Sequence, residues 1–154
     1  MEELIGKTIL AIYGNQQFIR FTTDQGDFIW ETIGDCCSHT YIHDFIGVQG
    51  LIGSKVTEVT NIDLEDSWAL SAENDRNKSY GIRIRAELVN KNVWDDTAVA
   101  VLSFRNESNG YYGGSLELIY PKIGYQWLGL TEIKSEKDFP NLPQITADVL
   151  EFQE

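Results

Sequence analysis

Basic residues are scarce in this chain of 154 residues, which carries 12 Lys and Arg against 24 Asp and Glu and has a formal net charge of −12. A nucleic-acid-binding domain normally shows a basic face, because neutralisation of phosphates supplies much of its affinity. No cluster of Lys and Arg longer than two residues occurs here. We therefore expect no direct binding to nucleic acid or to an anionic membrane surface.

Long apolar runs and the features of a signal peptide are also lacking. The apolar stretches fall far short of the roughly 18 residues that a membrane-spanning helix requires. The first residues, Met-Glu-Glu-Leu-Ile-Gly, place acid where a secretory signal peptide carries basic residues. We expect a protein of the cytoplasm, a monomer or small homo-oligomer, that folds as a single domain over residues 1–154.

The apolar pattern of the chain predicts mostly strands. Segments 7–13, 18–23 and 27–33 are joined by tight turns and predict a meander. Segment 97–105 has apolar residues on both faces, which indicates a central strand. Asn109-Gly110 predicts a hairpin that joins it to segment 115–120. Further alternating segments are 55–63, with Val56, Glu58, Thr60 and Ile62 on one face, and 79–90, with Ile82, Ile84 and Ala86 on one face.

A helix is predicted at one place, from Ser38 to Ile46, where Ser38 follows a Gly-containing turn and suits an N-cap. From about residue 140 the chain is punctuated by proline and predicts an extended tail. The expected fold class is α+β: a twisted, mainly antiparallel sheet with one short helix after the Gly34-Asp35-Cys36-Cys37-Ser38 turn. Leu4-Ile5-Gly6 is echoed by Leu51-Ile52-Gly53, and we expect two related strand-entry turns in one sheet.

Cysteine and histidine are rare but concentrated: both cysteines and both histidines of the chain fall between Cys36 and His43. Tracts of Cys and His are the usual sign of a metal site. On the predicted helix, His39 and His43 occupy positions i and i+4 on one face, with Cys36 and Cys37 just before the first turn. Two imidazoles with one or two thiolates suit tetrahedral Zn²⁺, and Asp35 can complete the set if one cysteine points away. The candidate zinc ligands are Asp35, Cys36, Cys37, His39 and His43.

Other interpretations of the same residues stay open. Adjacent cysteines are also typical of two small buried apolar side chains. A catalytic pair is a further alternative, with Cys37 as nucleophile, His43 as base and Asp35 or Asp44 orienting the imidazole. No separate oxyanion-hole or substrate motif accompanies that pair.

Acidic residues group in turns between the predicted strands, where their charges stay solvated. Such groups protect strand edges or form a face for a basic partner. The candidate partner-binding residues are Asp63, Glu65, Asp66, Asp95 and Asp96.

Two sequence boxes resemble a known family. The first comprises Gly34-Asp35-Cys36-Cys37-Ser38 followed by Tyr41 and Leu51-Ile52-Gly53, and the second runs from Arg105-Asn106-Glu107-Ser108 to Gly113-Gly114. Together they resemble the small phage and mobile-element domain marked by a G-D-C-C-S box. The chain is also similar in its Cys/His box, size and acidity to a zinc-containing class of phage anti-CRISPR inhibitors, which act on the type II-A effector nuclease.

The resemblance implies a non-enzymatic phage protein that binds a basic CRISPR effector nuclease in the bacterial cytoplasm and blocks its loading with nucleic acid. It implies Zn²⁺ as the bound ion, with the Asp and the two Cys as the core of the box. The alternatives are a metal-dependent or thiol enzyme built on the same box, and a phage accessory module in which zinc only supports folding.

Overall fold

The computed structural model describes residues 1–34, 38–64, 67–68, 76–88, 97–108, 113–119, 125–127, 130–139 and 150–152. Within these ranges the chain forms strands joined by turns, and the helical segments there are single 3-10 turns at Glu2–Leu4, Val48–Gly50 and Glu136–Asp138. The strands are β1 (Ile9–Gly14), β2 (Phe18–Thr23), β3 (Gly26–Gly34), β4 (His39–Ile46), β5 (Ser54–Asp63), β6 (Ser67–Trp68), β7 (Arg76–Leu88), β8 (Thr97–Ser108), β9 (Gly114–Ile119), β10 (Tyr125–Trp127), β11 (Thr131–Glu132) and β12 (Leu150–Phe152).

Two antiparallel five-stranded sheets make up most of the described fold. The first, here called the meander sheet, has the order β11-β1-β2-β3-β9. The second, here called the long sheet, has the order β4-β8-β7-β5, with β6 also paired to β7. β10 and β12 form a separate two-stranded pair. No helix in the described ranges is long and apolar enough to cross a membrane.

The two sheets share one hydrophobic core. Phe21 of the meander sheet contacts Trp30 edge-on at a centroid distance of 5.7 Å and reaches Phe45 of the long sheet at 6.1 Å. Ile84 and Leu102 from the two central strands of the long sheet are fully buried in the same cluster. Burial of such side chains contributes about 1.5–3 kcal/mol each, so this shared cluster is the main stabilising contact between the sheets.

The predicted α+β class is wrong, because the described segment of the predicted helix, Ser38–Ile46, forms strand β4 instead. The pairing register of β4 with β8 shifts between Ile42 and Asp44, so that His43 is the extra residue of a β-bulge. The bulge turns both Ile42 and Phe45 into the core although they are three positions apart. That spacing imitates one face of a helix, which is why the pattern was misleading.

Other predictions about strands were confirmed or corrected by the pairing. The meander is confirmed, and so is the central position of β8, between β4 and β7. The predicted hairpin at Asn109-Gly110 is wrong as a strand pairing, because β8 and β9 belong to different sheets and β9 pairs with β3. In β5 a register shift between Val56 and Glu58 breaks the predicted alternation, leaving Val56 buried and Glu58 exposed.

The repeated Leu-Ile-Gly segments form two matching turns, but they introduce strands of different sheets. Leu4 and Leu51 are both fully buried, Gly6 precedes β1, and Gly53 precedes β5. Thr8 and Lys55 form an antiparallel bridge between the two turns. The two turns therefore connect the sheets rather than starting neighbouring strands of one sheet.

The extended tail predicted from about residue 140 lies mostly outside the described residues. Within it, 150–152 forms β12, which pairs with β10.

Candidate functional site

The two sequence boxes meet at the start of β4. The end of β3 and the start of β9 pair there, and β4 pairs with β8. Gly34, which opens the first box, pairs with Gly114 at the end of the second box, in the β3–β9 ladder. On the other side, Thr40 pairs with Asn106 in the β4–β8 ladder. We call this region the box junction, defined by Gly34, Ser38, Thr40, Asn106 and Gly114.

Asn106 links the two boxes through its side chain. It is fully buried, and its Nδ2 donates hydrogen bonds to Ser38 Oγ at 3.0 Å and to Thr40 Oγ1 at 2.8 Å. Its Oδ1 has no hydrogen-bond partner among the residues that the structure describes. The junction therefore contains one buried acceptor, Asn106 Oδ1, without a donor among the described residues. An unpaired buried polar group costs about 1–3 kcal/mol of folding stability.

The two glycines of the junction make room for Thr40. A Cβ on Gly34 would lie 2.7 Å from Thr40 Oγ1, and one on Gly114 would lie closer still. Neither space admits a side chain without displacing β4. Gly34 and Gly114 therefore serve the close packing of strands from the two sheets.

A polar pocket of about 260 Å³ opens beside the junction. The β1–β2 turn forms one wall, and buried Asn15 fixes that turn by accepting the backbone N–H groups of Gln17 and Phe18 at 2.7 and 2.8 Å. The carbonyl of Gln16 accepts the N–H of Ile42 at 2.7 Å, so the turn is attached to β4. The lining residues are Gln16, Gln17, Thr32, Gly34, Ser38, His39, Thr40 and Tyr41.

Two of the lining residues carry aromatic rings, and a carboxylate of β8 lies beside one of them. The rings of His39 and Tyr41 stack with centroids 5.3 Å apart and an interplanar angle of 22°. Tyr41 Oη lies 3.4 Å from Glu107 Oε1, at the long end of the hydrogen-bond range. Glu107 is exposed and stands opposite His39 in the β4–β8 ladder.

Of the predicted zinc ligands, Asp35, Cys36 and Cys37 lie outside the described residues. His39 and His43 are on a strand, where four residues span about 13 Å. The helical i, i+4 contact that predicted a shared ion is therefore absent. Within the described ranges no three His, Cys, Asp or Glu side chains converge as metal ligands.

His43 lies away from the pocket lining and has its own neighbours. Its Nε2 is 3.9 Å from Asp44 Oδ2. Burial and the nearby Arg105 cation lower the pKa of His43, although Asp44 acts in the opposite direction. Asp44 Oδ1 also accepts a hydrogen bond from Ser103 Oγ at 2.5 Å. The positive charge of Arg105 opposes the binding of a further cation beside His43.

Of the predicted partner-binding residues, Asp63 is exposed at the end of β5, opposite Tyr80. Glu65, Asp66, Asp95 and Asp96 lie outside the described residues. The acidic face therefore stays a prediction for all five residues.

Sequence reasoning missed the role of Asn106, although a signal was present. Asn106 continues the alternation of Ala100, Leu102 and Phe104, which all face the core. A polar residue on such a face must be hydrogen-bonded internally or be exposed to a bound group. Gln16 and Gln17 had no comparable signal, because their place in the pocket depends on contacts between β1–β2 and β4.

Comparison with known proteins gives one match. A family model described as a domain of unknown function, DUF7448, matches residues 2–118, a range that contains both boxes and the junction between them. No curated protein and no solved structure matches the chain. The chain therefore belongs to the DUF7448 family.

Proposed function

We propose that this protein is a non-enzymatic inhibitor that binds a basic effector nuclease of a type II CRISPR system in the bacterial cytoplasm and blocks loading of nucleic acid. The observation that carries the proposal is the convergence of both sequence boxes on one polar surface site of a strongly acidic chain. The choice of nuclease comes from the resemblance of those boxes to phage proteins.

Charge supports this kind of partner. A protein with a formal net charge of −12 is attracted to a cationic channel, and it competes there with the phosphates that the channel normally binds. Exposed Asp63 belongs to the acidic surface expected to face the nuclease.

The proposed inhibitor also binds a Zn²⁺ ion. We assign the ion to Cys36 and Cys37, with Asp35 and His39 as the remaining ligands. His39 is favoured over His43 because it borders the pocket and directly follows Ser38, the last residue of the Gly34-Asp35-Cys36-Cys37-Ser38 segment. Thiolates and an imidazole are the donors that structural Zn²⁺ prefers, and the ion would fix the segment between β3 and β4.

The test is a cleavage assay with purified type II effectors, guide RNA and target DNA. Equimolar protein added before the DNA should abolish cleavage, whereas addition after DNA loading should have little effect. Inhibition should weaken as salt rises, because the attraction is between exposed charges. Failure to inhibit any of several type II effectors would contradict the proposed target.

A thiol enzyme is the second candidate, favoured by the pocket that is lined by Gly34 and Ser38, the residues on either side of Asp35-Cys36-Cys37 in the sequence. The dose dependence separates the two functions. An enzyme inactivates the effector at substoichiometric amounts and with time, whereas a binding inhibitor saturates near one molecule per effector.

A further inference from the structure

We infer that the basic partner docks at the free edge of β5, where an extended segment of that partner adds to the long sheet as a further strand. The free edge is defined by residues 57–63. The inference rests on the proposed function for the identity of the partner, and it names the surface through which the partner is bound. It is carried by an unpaired strand edge, a cleft that opens on that edge and the charges of both.

Strand β5 lies at one end of the long sheet and pairs with β7 along Ser54–Asp63. On its other side only the beginning of the strand is covered. There Val56 accepts the backbone N–H of Gly6 at 2.8 Å and donates its own N–H to the carbonyl of Lys7 at 2.9 Å. Beyond Val56, no backbone hydrogen bond from the described residues reaches the side of 57–63 that faces away from β7. Unpaired backbone groups on such an edge are a template for another strand.

The residues of the free edge leave this template accessible. Thr57, Glu58, Asn61 and Asp63 are exposed. The range 57–63 contains no Pro and no Lys, which proteins commonly place on edges to prevent pairing. The β-bulge of β5 lies at the start of this range, so that the register with β7 is unbroken from Glu58 to Asp63. A pairing of this length is ordinary for a β-strand.

A cleft of about 350 Å³ opens on the last part of the free edge, between β5 and the first residues of β9. Asn61 and Asp63 line it and lie opposite Ile82 and Tyr80 of β7, which line it too. The ring of Tyr80 stacks on that of Phe104 with centroids 4.8 Å apart, so this part of the cleft is aromatic.

The position of the cleft suits strand addition. Successive side chains of a strand point to opposite faces, so every second side chain of a strand added at this edge faces the side of the sheet on which the cleft opens. In strand addition the main-chain hydrogen bonds supply affinity, and pockets for alternate side chains supply specificity. An apolar side chain of the added strand matches the aromatic and aliphatic lining.

The charges of this region favour a basic segment. Glu58 and Asp63 are the charged residues of the free edge. Glu58 is partly compensated by Arg83 at 3.5 Å, whereas Asp63 has no ion pair among the described residues and is the charged side chain of the described cleft lining. Opposite charges on neighbouring strands are favourable, so a Lys or Arg of the added strand gains most beside Asp63.

The same charges disfavour a second copy of the chain as the occupant. Pairing of two β5 edges would bring both copies of Glu58 and Asp63 together, and each copy carries a formal net charge of −12. Like charges on paired strands are destabilising. A basic strand meets no such repulsion.

The test uses the full chain and a synthetic peptide with blocked ends, Lys-Val-Lys-Val-Lys-Val-Lys, as the probe for a basic extended segment. Two comparison peptides separate the contributions. Glu-Val-Glu-Val-Glu-Val-Glu reverses the charge, and Lys-Gly-Lys-Gly-Lys-Gly-Lys keeps the charge but has a low strand propensity and no side chain for the cleft. We expect each comparison peptide to bind at least about tenfold more weakly than the Lys-Val peptide.

Hydrogen exchange of the backbone amides shows whether the peptide binds as a strand. We expect the exposed amides of the free edge to exchange about tenfold more slowly at a peptide concentration ten times the Kd, as mass action requires for groups protected only in the complex. The amides of β11, an edge strand of the meander sheet, should exchange at an unchanged rate.

Two variants of one exposed residue change the charge of the edge in opposite directions. Asn61→Lys should weaken binding of the Lys-Val peptide by about two- to fivefold, and Asn61→Asp should strengthen it by a similar factor, the range of exposed ion pairs. Glu132→Gln, which removes an exposed charge on β11, is the control and should leave the affinity unchanged.

Equal binding of the Lys-Val and Lys-Gly peptides would mean attraction by charge alone and would overturn the inference. Unchanged exchange of the free edge in the complex would also overturn it. A dimer of the parent protein that Asn61→Lys dissociates would assign the edge to a second copy and have the same consequence.

The cleavage assay separates this inference from the proposed function. Full inhibition by the Asn61→Lys protein would reject the edge as the contact and retain the proposed function. Failure of the parent protein to inhibit any effector, with the Lys-Val peptide bound as expected, would reject the nuclease as the partner and retain the edge as a site for a basic strand.

Discussion

Gly6 and Gly53 have the same backbone conformation, with φ of 85° and 86°, and each donates its N–H to the strand that the other introduces. Gly6 donates to the carbonyl of Val56 at 2.8 Å, and Gly53 donates to that of Ile9 at 2.7 Å. The two Leu-Ile-Gly turns are thus related by a local twofold axis, with the Thr8–Lys55 bridge at its centre.

Both glycines should resist replacement to a similar extent. A Cβ at either position meets no atom within 4 Å, so the cost of Gly6→Ala or Gly53→Ala comes from the left-handed backbone alone. We expect each to lower the free energy of unfolding by about 1–2 kcal/mol, as measured by urea denaturation. Gly6→Asn should cost less, since asparagine tolerates this conformation. Equal stability of all these variants and the parent would contradict the account.

Gly47 provides a contrast to those two positions. Its φ is 77°, and a Cβ there would lie 2.5 Å from the backbone oxygen of Val99. Gly47→Ala therefore combines a strained backbone with a clash against the neighbouring strand. We expect a loss clearly larger than for Gly6→Ala, about 3 kcal/mol or more. A loss no greater than that of Gly6→Ala would contradict this prediction, because it would mean that β8 shifts to accommodate the added Cβ at little cost in free energy.

The side chain of Asn106 should contribute substantially to the free energy of unfolding, although it is polar. Asn106→Ala removes both hydrogen bonds to Ser38 and Thr40 and leaves a cavity, and we expect a loss of about 2–4 kcal/mol. Thr40→Val, which removes one of the two acceptors, should cost about 1–2 kcal/mol. In the double variant the losses should be less than additive, because the two changes share one hydrogen bond. Full additivity would show that the bond contributes nothing.

Glu31 makes the stability of the protein depend on pH. Burial, and then the charge of Glu117 opposite it in the β3–β9 ladder, raise the pKa of Glu31 above its ordinary value of 4.5. A carboxyl whose pKa is higher in the folded state stabilises the protein fully below the ordinary value, and this contribution is lost as pH rises through the folded-state pKa. At pH 7 the pair of charges is destabilising.

Replacing either partner of that pair should relieve the repulsion. Glu31→Gln is expected to raise the free energy of unfolding at pH 7 by about 0.5 kcal/mol, a small effect because both groups are partly solvated. Glu117→Gln should have a smaller effect, because it removes the repulsion but leaves Glu31 partly buried, and its addition to Glu31→Gln should bring little more. The gain should disappear near pH 4. A stabilisation that is independent of pH would point to a cause other than charge.

Zinc content tests the assignment of the metal box. Protein purified without added metal should contain about one zinc per chain by elemental analysis, and Cys37→Ser should reduce that content strongly. His39→Ala should weaken retention of zinc against a chelator, while His43→Ala should leave it unchanged. Zinc far below one per chain in the parent protein, or equal behaviour of the two histidine variants, would contradict the assignment.

The sequence predicted the parts of the fold that depend on local pattern. Tight turns at Gly14-Asn15 and Gln25-Gly26 marked the meander, and apolar residues on both faces marked β8 as central. The two bulges, at His43 and beside Val56, escaped prediction because an inserted residue changes which face later residues occupy. At His43 the bulge also spaced the buried apolar residues of β4 as they would be spaced on one face of a helix.

The sequence predicted only the part of the candidate site that is contiguous along the chain. The Cys/His box was evident as a cluster, but the pairing of Gly34 with Gly114 and of Thr40 with Asn106 joins residues far apart in the chain. Nothing in the local pattern around Gln16 or Asn106 indicates which strand each will meet. Such contacts depend on the topology of two sheets, which a single sequence leaves open.

The turns related by the twofold axis also bear on the order in which the protein folds. The meander needs only contacts between neighbours in sequence, and these form quickly because short loops close at small entropic cost. The hydrogen bonds between Gly6 and Val56 and between Gly53 and Ile9 instead enclose the whole meander and β4 in one loop. We expect their closure to be a late step of folding, so that a nascent chain that ends before β5 has strands β1, β2 and β3 of the meander sheet but lacks the hydrogen bonds that connect them to β5 of the long sheet.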